Sequence, residues 1–215
     1  VNIQMKKIVV EDTGFGMSLE DIETKWMRVA TAFKEGEMFS PIFERRVSGE
    51  KGMGHFACQR LGSVVKIISN PEDYTGRKKT DYLDKTMELV IKWNQYTPGK
   101  NFEDVPNELR IVDRVGKEHG VRIEITDLSD KIWTTADIDA IMVNAGTLLA
   151  PSFIRKDEKN PFEIKIFCEG FTPIRETIES TIELYAPWEI RAQLRGSIIN
   201  FQIYHREKED EVRKL

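Results

Sequence analysis

Apolar and polar residues follow one another in two different periods along this chain, and the period predicts which segments are strands and which are helices. Residues 2–11 are rich in β-branched side chains and run into Asp12-Thr13-Gly14, which predicts a strand ending in a turn. After Ser18, apolar residues recur at helical spacing, so a helix capped by that serine is expected. Its apolar positions are Leu19, Ile22, Trp26, Val29 and Phe33.

The middle of the chain reads as strands separated by loops, with a second helix. Residues 34–52 are polar and glycine-rich, which predicts a loop, and a helix is expected from near Gly52 or Gly54 to a stop at Gly62. Strands are predicted at 64–69, 87–94, 109–112 and 121–126.

The last third of the chain predicts one more helix and a hairpin. Thr134 or Thr135 is expected to cap a helix that Pro151 stops. A strand is predicted at 162–168, and a hairpin is predicted around Arg195-Gly196. Strands alternating irregularly with three helices indicate an α/β two-layer sandwich. A boundary near residue 172 would separate a domain at 1–172 from the start of a β-rich unit at 173–215.

Composition narrows the class of protein. The 215 residues are 40% hydrophobic and 32% charged, enough for one sizeable core or for one domain plus part of another. The net charge of −4 argues against wholesale wrapping of nucleic acid. No apolar run approaches the roughly 18 residues of a membrane span, and no signal peptide is seen, so a soluble, cytoplasmic protein without a membrane partner is expected. Cys58 and Cys168 are interpreted as small buried hydrophobes.

Locally, residues 41–80 hold eight Lys/Arg against four Asp/Glu. Such a stretch could face phosphates or could be a solvated loop, and charge alone does not decide between them.

Three glycine-centred segments are the candidate chemistry. The first is Asp12-Thr13-Gly14-Phe15-Gly16-Met17, at a strand end. A carboxylate there can accept a hydrogen bond from an exocyclic amine such as that of adenine, and glycines let the backbone approach a ligand. Taken alone, this segment is better interpreted as an ordinary turn.

The second segment is Gly49-Glu50-Lys51-Gly52-Met53-Gly54, which leads into a helix. Its amides and the helix N-terminus can cradle an anion, and Lys51 adds a positive charge. It follows no strand and lacks the ending of a P-loop, so neither common nucleotide motif applies. The third segment, His119-Gly120-Val121, is by itself a turn into a strand.

Together, the order and spacing of these segments resemble the GHKL superfamily of gyrase, heat-shock chaperone, histidine kinase and MutL ATPases. The resemblance is nearest to the heat-shock chaperone and Microrchidia-like branch. It covers roughly residues 1–170, most specifically 8–69, and includes Trp26, Arg46 and GEKGMGHFACQRLG at 49–62. It implies a Bergerat-type fold, in which helices cover one face of a mixed sheet and ATP lies beneath a mobile lid.

The resemblance also implies roles for individual residues. Asp12 would bind the adenine amine, Gly14 and Gly16 would shape the pocket, and Met17 would line it. The lid would comprise residues 34–54. From it, the residues implied in ATP binding are Lys34, Gly49, Lys51, Gly52 and Gly54.

Two departures from the family pattern matter. The family usually has Thr where this chain has Val121, which removes a polar contact near adenine. The family's first helix carries a catalytic Glu and an Asn that holds Mg²⁺, and that helix precedes the first strand. The chain is therefore expected to lack this helix, its Mg²⁺ ligand is expected upstream of Val1, and no catalytic base is assigned.

The function implied is an ATP-driven conformational switch that hydrolyses ATP in the intact protein and forms a homodimer on closure. The alternative is a nucleotide-sensing or scaffold module without turnover. A histidine-kinase arrangement is disfavoured by the chaperone-like lid and by the absence of a phosphoacceptor helix. The spacing of His119 and His205 does not suggest a zinc site, and nucleic acid and client protein both remain open as partners.

Overall fold

A computed structural model describes residues 2–26, 39–40, 43, 45, 54–73, 82–100, 104–114, 116, 118–129, 132–149, 162–168, 178, 180 and 187–205. The chain forms two compact units. One unit is Gln4–Ile132, and the other consists of Val1–Ile3 with Trp133–Leu215.

Nine strands are formed by the described residues. In chain order they are β1 (Asn2–Gln4), β2 (Ile8–Asp12), β3 (Gly62–Asn70), β4 (Lys85–Lys92), β5 (Glu108–Asp113), β6 (Gly120–Leu128), β7 (Ile132–Thr134), β8 (Trp188–Arg195) and β9 (Ile198–His205). The first unit contains a five-stranded sheet in the order β2-β6-β3-β4-β5. This confirms the α/β fold class. All four pairings are antiparallel, so the mixed pairing implied by the resemblance is not seen among these strands.

One face of this sheet forms the core of the first unit. Along β3, Val65 and Ile67 are fully buried while their neighbours are partly exposed, as the period of a half-buried strand requires. Fully burying one such aliphatic side chain contributes about 1.5–3 kcal/mol, so the alternation fixes which face turns inward. The buried members of the core are Ile22, Val65, Ile67, Met87, Leu89, Ile91, Trp93 and Ile125.

The first predicted helix begins as expected. Ser18 caps α1 (Leu19–Asp21) through a capping box, in which Ser18 Oγ accepts from Asp21 N at 3.2 Å and the Asp21 carboxylate accepts from Ser18 N at 2.9 Å. A π-helical turn, Ile22–Trp26, follows and buries Ile22 in the core. The predicted continuation to Phe33 lies outside the described residues.

The second predicted helix is also found, as α2 (Gly54–Leu61). The predicted stop at Gly62 is confirmed, and this glycine has a further role as the first residue of β3. A methyl group on it would lie 2.4 Å from the carbonyl oxygen of Thr126 on β6. The position therefore requires glycine for close strand approach.

The second unit contains α3 (Thr135–Gly146), the β8-β9 hairpin, and all but one residue of each strand in the two-stranded sheet β1-β7. Thr134 is the helix cap, again through a capping box, here with Asp137. The helix ends at Gly146, before the predicted stop at Pro151. The hairpin is confirmed, with Gly196 at φ +62° beginning its two-residue turn.

The prediction of a strand at 162–168 is wrong. These residues form no strand pairing with any other described segment. Ile164 O accepts one backbone hydrogen bond, from Ile178 N at 2.9 Å. Alternation gives a segment two distinct faces but does not supply a partner strand. The domain boundary near residue 172 stays a prediction. Within the described part of the chain, no helix combines the length and the apolar character needed to span a membrane.

Charged side chains link β2 to β6 on the solvent side of the sheet. Arg122 Nε donates to Glu124 Oε1 at 2.9 Å, and its Nη1 contacts Glu11 Oε2 at 2.5 Å. Lys7 Nζ lies 3.6 Å from the same Glu124 oxygen. The hydrogen bond from Arg122 lowers the pKa of Glu124, with a smaller lowering from the charge of Lys7, although partial burial opposes both.

We expect Glu124→Gln to lower the free energy of unfolding at pH 7 by about 0.5–1 kcal/mol. A lowered native pKa contributes stability above the unfolded pKa of about 4.3, and that contribution is lost as the pH falls through the native value. The difference between wild type and variant should therefore shrink below about pH 4, measured by urea unfolding across pH. Asp73→Asn, which removes an exposed carboxylate, is the control. A difference that is independent of pH would contradict the assignment.

Candidate functional site

Three chain segments converge at one end of the five-stranded sheet. They are the end of β2 at Asp12, the end of β3 at Asn70 and the start of β6 at Gly120. In the ladders, Asp12 lies opposite Val121 and Asn70 lies opposite Gly120. Because β6 runs antiparallel to both neighbours, its first residues lie between the last residues of β2 and β3. The first and third glycine segments of the sequence are thereby brought together.

The Asp12 side chain is held by the turn that follows it. Its Oδ1 accepts from Gly14 N at 2.8 Å and lies 3.4 Å from Val121 N, while the residue is exposed. This is the local aspartate turn that short acidic side chains favour. Oδ2 has no hydrogen-bond partner among the described residues. One oxygen thus orients the carboxylate and the other remains available as an acceptor.

Two glycines allow the three backbones to approach closely. Gly16 has φ +63°, and a methyl group on it would lie 2.1 Å from the Asn70 carbonyl oxygen. Gly120 has φ +128°, and a methyl group there would lie 2.0 Å from the Asp12 carbonyl oxygen. Since both clashes are with backbone atoms, side-chain rearrangement cannot relieve them. Glycine is required here by steric contact as well as by conformation.

A buried serine anchors the turn to the sheet. Ser69 is completely buried; its Oγ accepts from Met17 N at 2.6 Å and donates to Met17 O at 2.9 Å. Ser69 is not among the site residues that the sequence predicts. The available signal was its register, because Ser69 follows Val65 and Ile67 on the core face of β3. A polar side chain in a buried apolar series needs a specific partner.

A histidine joins the third glycine segment to the first. His119 Nδ1 lies 2.6 Å from Gly14 O. A carbonyl oxygen can only accept, so Nδ1 carries the proton in this contact. The imidazole is half-buried. The sequence predicts His119 at a turn, but it does not predict the hydrogen-bond partner, which lies 105 residues earlier.

The predicted site residues fall into two groups. Asp12, Gly14, Gly16 and Met17 lie together in the turn after β2, and Gly54 is the first residue of α2. The other residues implied in ATP binding lie outside the described part of the chain: Lys34, Gly49, Lys51 and Gly52. Their roles, like those of the first group, remain predictions.

Comparison with known families identifies the class of protein. Residues 2–109, half of the chain, match the family of histidine kinase-, DNA gyrase B- and HSP90-like ATPases. The chain belongs to this family. The match includes the Asp12 turn and the strands β2, β3 and β4. The predicted membership of the GHKL superfamily is confirmed, while the chaperone and Microrchidia-like branch stays a prediction.

One curated relative is much longer than this chain. Over 69 residues, 32% of the chain, the sequence is 35% identical to a protein described as the putative type II restriction enzyme HgiDII of Herpetosiphon aurantiacus. The chain spans 11% of that relative's length. Its whole-protein activity is therefore not transferred to this chain.

The family implies ATP, and the residues around Asp12 suit its base. The exocyclic amine of adenine is a donor, and Asp12 is an exposed residue whose Oδ2 accepts from no described residue. For the expected Mg²⁺, the described residues contain no group of three or more histidine, cysteine, aspartate or glutamate side chains that could hold a metal ion. No magnesium ligand is assigned among them.

Gly16→Ala should destabilise the first unit by about 2–4 kcal/mol, because an alanine at positive φ would also overlap the Asn70 carbonyl. Gly116→Ala is the matched control in the same unit. Gly116 also has positive φ, +87°, but a methyl group there would meet nothing within 4 Å. Its cost should stay near the lower end of about 1–2 kcal/mol, the strain of positive φ alone. Urea unfolding measures both, and equal costs would show that backbone contact at Gly16 is unimportant.

Proposed function

We propose that this chain carries the ATP site of an ATP-driven conformational switch. The observation that supports the proposal most strongly is the Asp12 carboxylate, oriented through Oδ1 with Oδ2 available. It lies at the meeting point of two glycine segments in a chain that belongs to an ATPase family.

Asp12 would select adenine over guanine. An ionised carboxylate is an acceptor only, so it pairs with the amine of adenine and repels the carbonyl oxygen that guanine presents at the equivalent position. A site that presents a hydrogen-bond acceptor binds weakly any base that leaves this acceptor unpaired. Gly14 would shape the pocket by holding Asp12, and Gly16 would shape it by letting the turn pack against the end of β3. Met17, which is partly buried and packs against the core, would supply an apolar contact.

The segment at 34–54 is proposed as the lid. In it, Gly49, Gly52 and Gly54 would bring backbone amides to the phosphates, and Lys51 would add charge. A ligand drives closure only if it binds the closed state more tightly than the open one. Hydrolysis of the phosphoanhydride bond of ATP would remove this difference in affinity between the closed and open states. Closure would create the homodimer, and Lys51 would stabilise charge on the transferring phosphoryl group.

A second candidate is a module that binds nucleotide without turnover. The observation in its favour is Val121, whose backbone N–H lies 3.4 Å from Asp12 Oδ1 but whose side chain offers no hydroxyl. Val121 packs partly against the core instead. Turnover measurements distinguish the two, because the switch hydrolyses ATP in the intact protein and the sensing module does not.

The partner on which the switch acts is either nucleic acid or a client protein. The name of the HgiDII relative favours DNA, while the net charge of −4 argues against broad electrostatic binding by this chain. A heat-shock chaperone-like role would favour a client protein.

Asp12→Asn tests the adenine site. Asparagine keeps an oxygen that can accept from Gly14 N and replaces the second oxygen by a donor amide, so the turn should survive. We expect the Kd values of ATP, ADP and adenosine each to rise tenfold or more, roughly, since a hydrogen bond to a charged group is lost. Isothermal titration calorimetry measures the affinities.

Glu11→Gln is the matched control for Asp12→Asn. Glu11 is the preceding carboxylate of β2, points to the opposite face of the sheet and pairs with Arg122. Its neutralisation should leave nucleotide affinity within about twofold. Unchanged affinity in Asp12→Asn would refute the assignment of Asp12 to adenine.

Lys51→Ala tests the proposed phosphate contact. The Kd of ATP should rise roughly tenfold, while that of adenosine, which has no phosphates, should change less than about twofold. Lys100→Ala removes the same charge from an exposed residue of a turn and should affect neither ligand. Equal losses for ATP and adenosine would mean that Lys51 acts on the fold.

A further inference from the structure

We propose that His119 is a positioning residue of the adenine site, where it holds the carbonyl group of Gly14, the residue whose N–H orients Asp12. This inference rests on the proposed function, because it concerns the same site. His119 is not expected to touch the reacting phosphates. Its effect would be on how well the base is bound.

The contact itself is short and specific. Nδ1 of the half-buried His119 lies 2.6 Å from Gly14 O, slightly shorter than the usual range for an N–H···O hydrogen bond. Gly14 N in turn donates to Asp12 Oδ1 at 2.8 Å. Gly14 is thus fixed at both of its backbone polar groups, one by the histidine and the other by the carboxylate.

Arg114 fixes the segment that presents the histidine. Its Nη1 donates to Pro71 O at 3.0 Å and to Leu83 O at 3.2 Å, and its Nη2 donates to Glu118 O at 2.5 Å. One guanidinium therefore ties the residue before His119 to the chain that follows β3. Because the backbone before His119 is already fixed, less conformational freedom is lost when its imidazole makes a hydrogen bond.

The residue after His119 is fixed as well. Gly120 lies in the β6 ladder opposite Asn70, and it is packed against the Asp12 carbonyl too closely for any side chain. His119 is therefore held between two anchored neighbours. The imidazole connects this anchored segment to the turn that carries the adenine acceptor.

Loss of the bond from His119 would leave Gly14 O without this partner and allow the turn to sample other conformations. Asp12 would then spend part of its time misdirected, and the affinity for the base would fall in proportion to the competent fraction. The loss should be the same for adenosine, ADP and ATP, because only the base contacts Asp12.

Three substitutions of His119 distinguish the contributions of its two ring nitrogens. His119→Ala removes the donor. His119→Asn keeps one, because the asparagine Nδ2 is as many bonds from the backbone as the histidine Nδ1. His119→Gln moves the amide one carbon further out, near the position of Nε2. Adenosine is titrated calorimetrically into each variant of this chain and into the wild type.

We expect His119→Ala to raise the Kd of adenosine roughly three- to tenfold, and that of ATP by the same factor. His119→Asn should stay within about twofold of wild type, and His119→Gln should resemble alanine. Amide hydrogen exchange at Gly14 and Phe15 should be faster in the alanine variant and restored in the asparagine variant.

Ile91→Val controls for a purely structural role. Ile91 is a buried residue of β4, and losing one methyl group there lowers stability without touching the site. This variant should bind adenosine as wild type does. If its affinity falls with its stability as that of His119→Ala does, the positioning role is refuted.

The remaining outcomes are distinct. If the wild type binds adenosine and His119→Ala binds it equally well, only the role of His119 is refuted. If glutamine restores affinity and asparagine does not, the relevant atom is Nε2 and the proposed contact is wrong. If the wild type binds neither adenosine nor ATP, the proposed function fails, and the positioning role fails with it.

Discussion

The site depends on close contacts among three backbones, in which one residue of each contact is a glycine. Gly120 lies against the Asp12 carbonyl, and Gly16 lies against the Asn70 carbonyl, each too closely for a methyl group. These contacts let the ends of β2, β6 and β3 converge and let the turn after β2 fold back over β3. Glycine loses more conformational entropy on folding than other residues do. The packing of the five-stranded sheet therefore has to supply the stability that holds these residues in place.

That stability comes from the core face of the same strands. β3 is the central strand of the sheet, and Val65 and Ile67 are its most deeply buried apolar residues. Ser69 continues this series two residues further on, and its hydroxyl makes both hydrogen bonds to the Met17 backbone. The core and the site are therefore joined along one strand. Ser18 then begins α1, whose following turn buries Ile22, so the segment that carries Asp12 is anchored to the core on its other side too.

Local signals made much of the fold predictable. The sequence predicts Ser18 as a cap, Thr134 as one of two candidate caps and Gly196 as a turn residue, because each acts through neighbours within a few positions. Strand order was not predictable, since β2 pairs with a strand more than 100 residues away. Ser69 and His119 also act through partners that are distant in sequence, so their roles were not predictable. The strand at 162–168 was predicted wrongly because alternation does not indicate whether a partner strand is present. Asp12 was found through its glycine context, but the atoms that orient it were not.

The way Asp12 is held has a consequence for the proposed switch. Its carboxylate is oriented by Gly14 and by β6 before any ligand arrives, so binding the base requires little reorganisation. Adenosine, ADP and ATP would all make the same contacts there. An end of the site that binds adenosine, ADP and ATP alike contributes affinity, but it cannot make ATP and ADP shift the equilibrium between two states differently. The free energy that distinguishes ATP from ADP must therefore come from groups that meet the phosphates, and the residues proposed for that contact are those around Lys51.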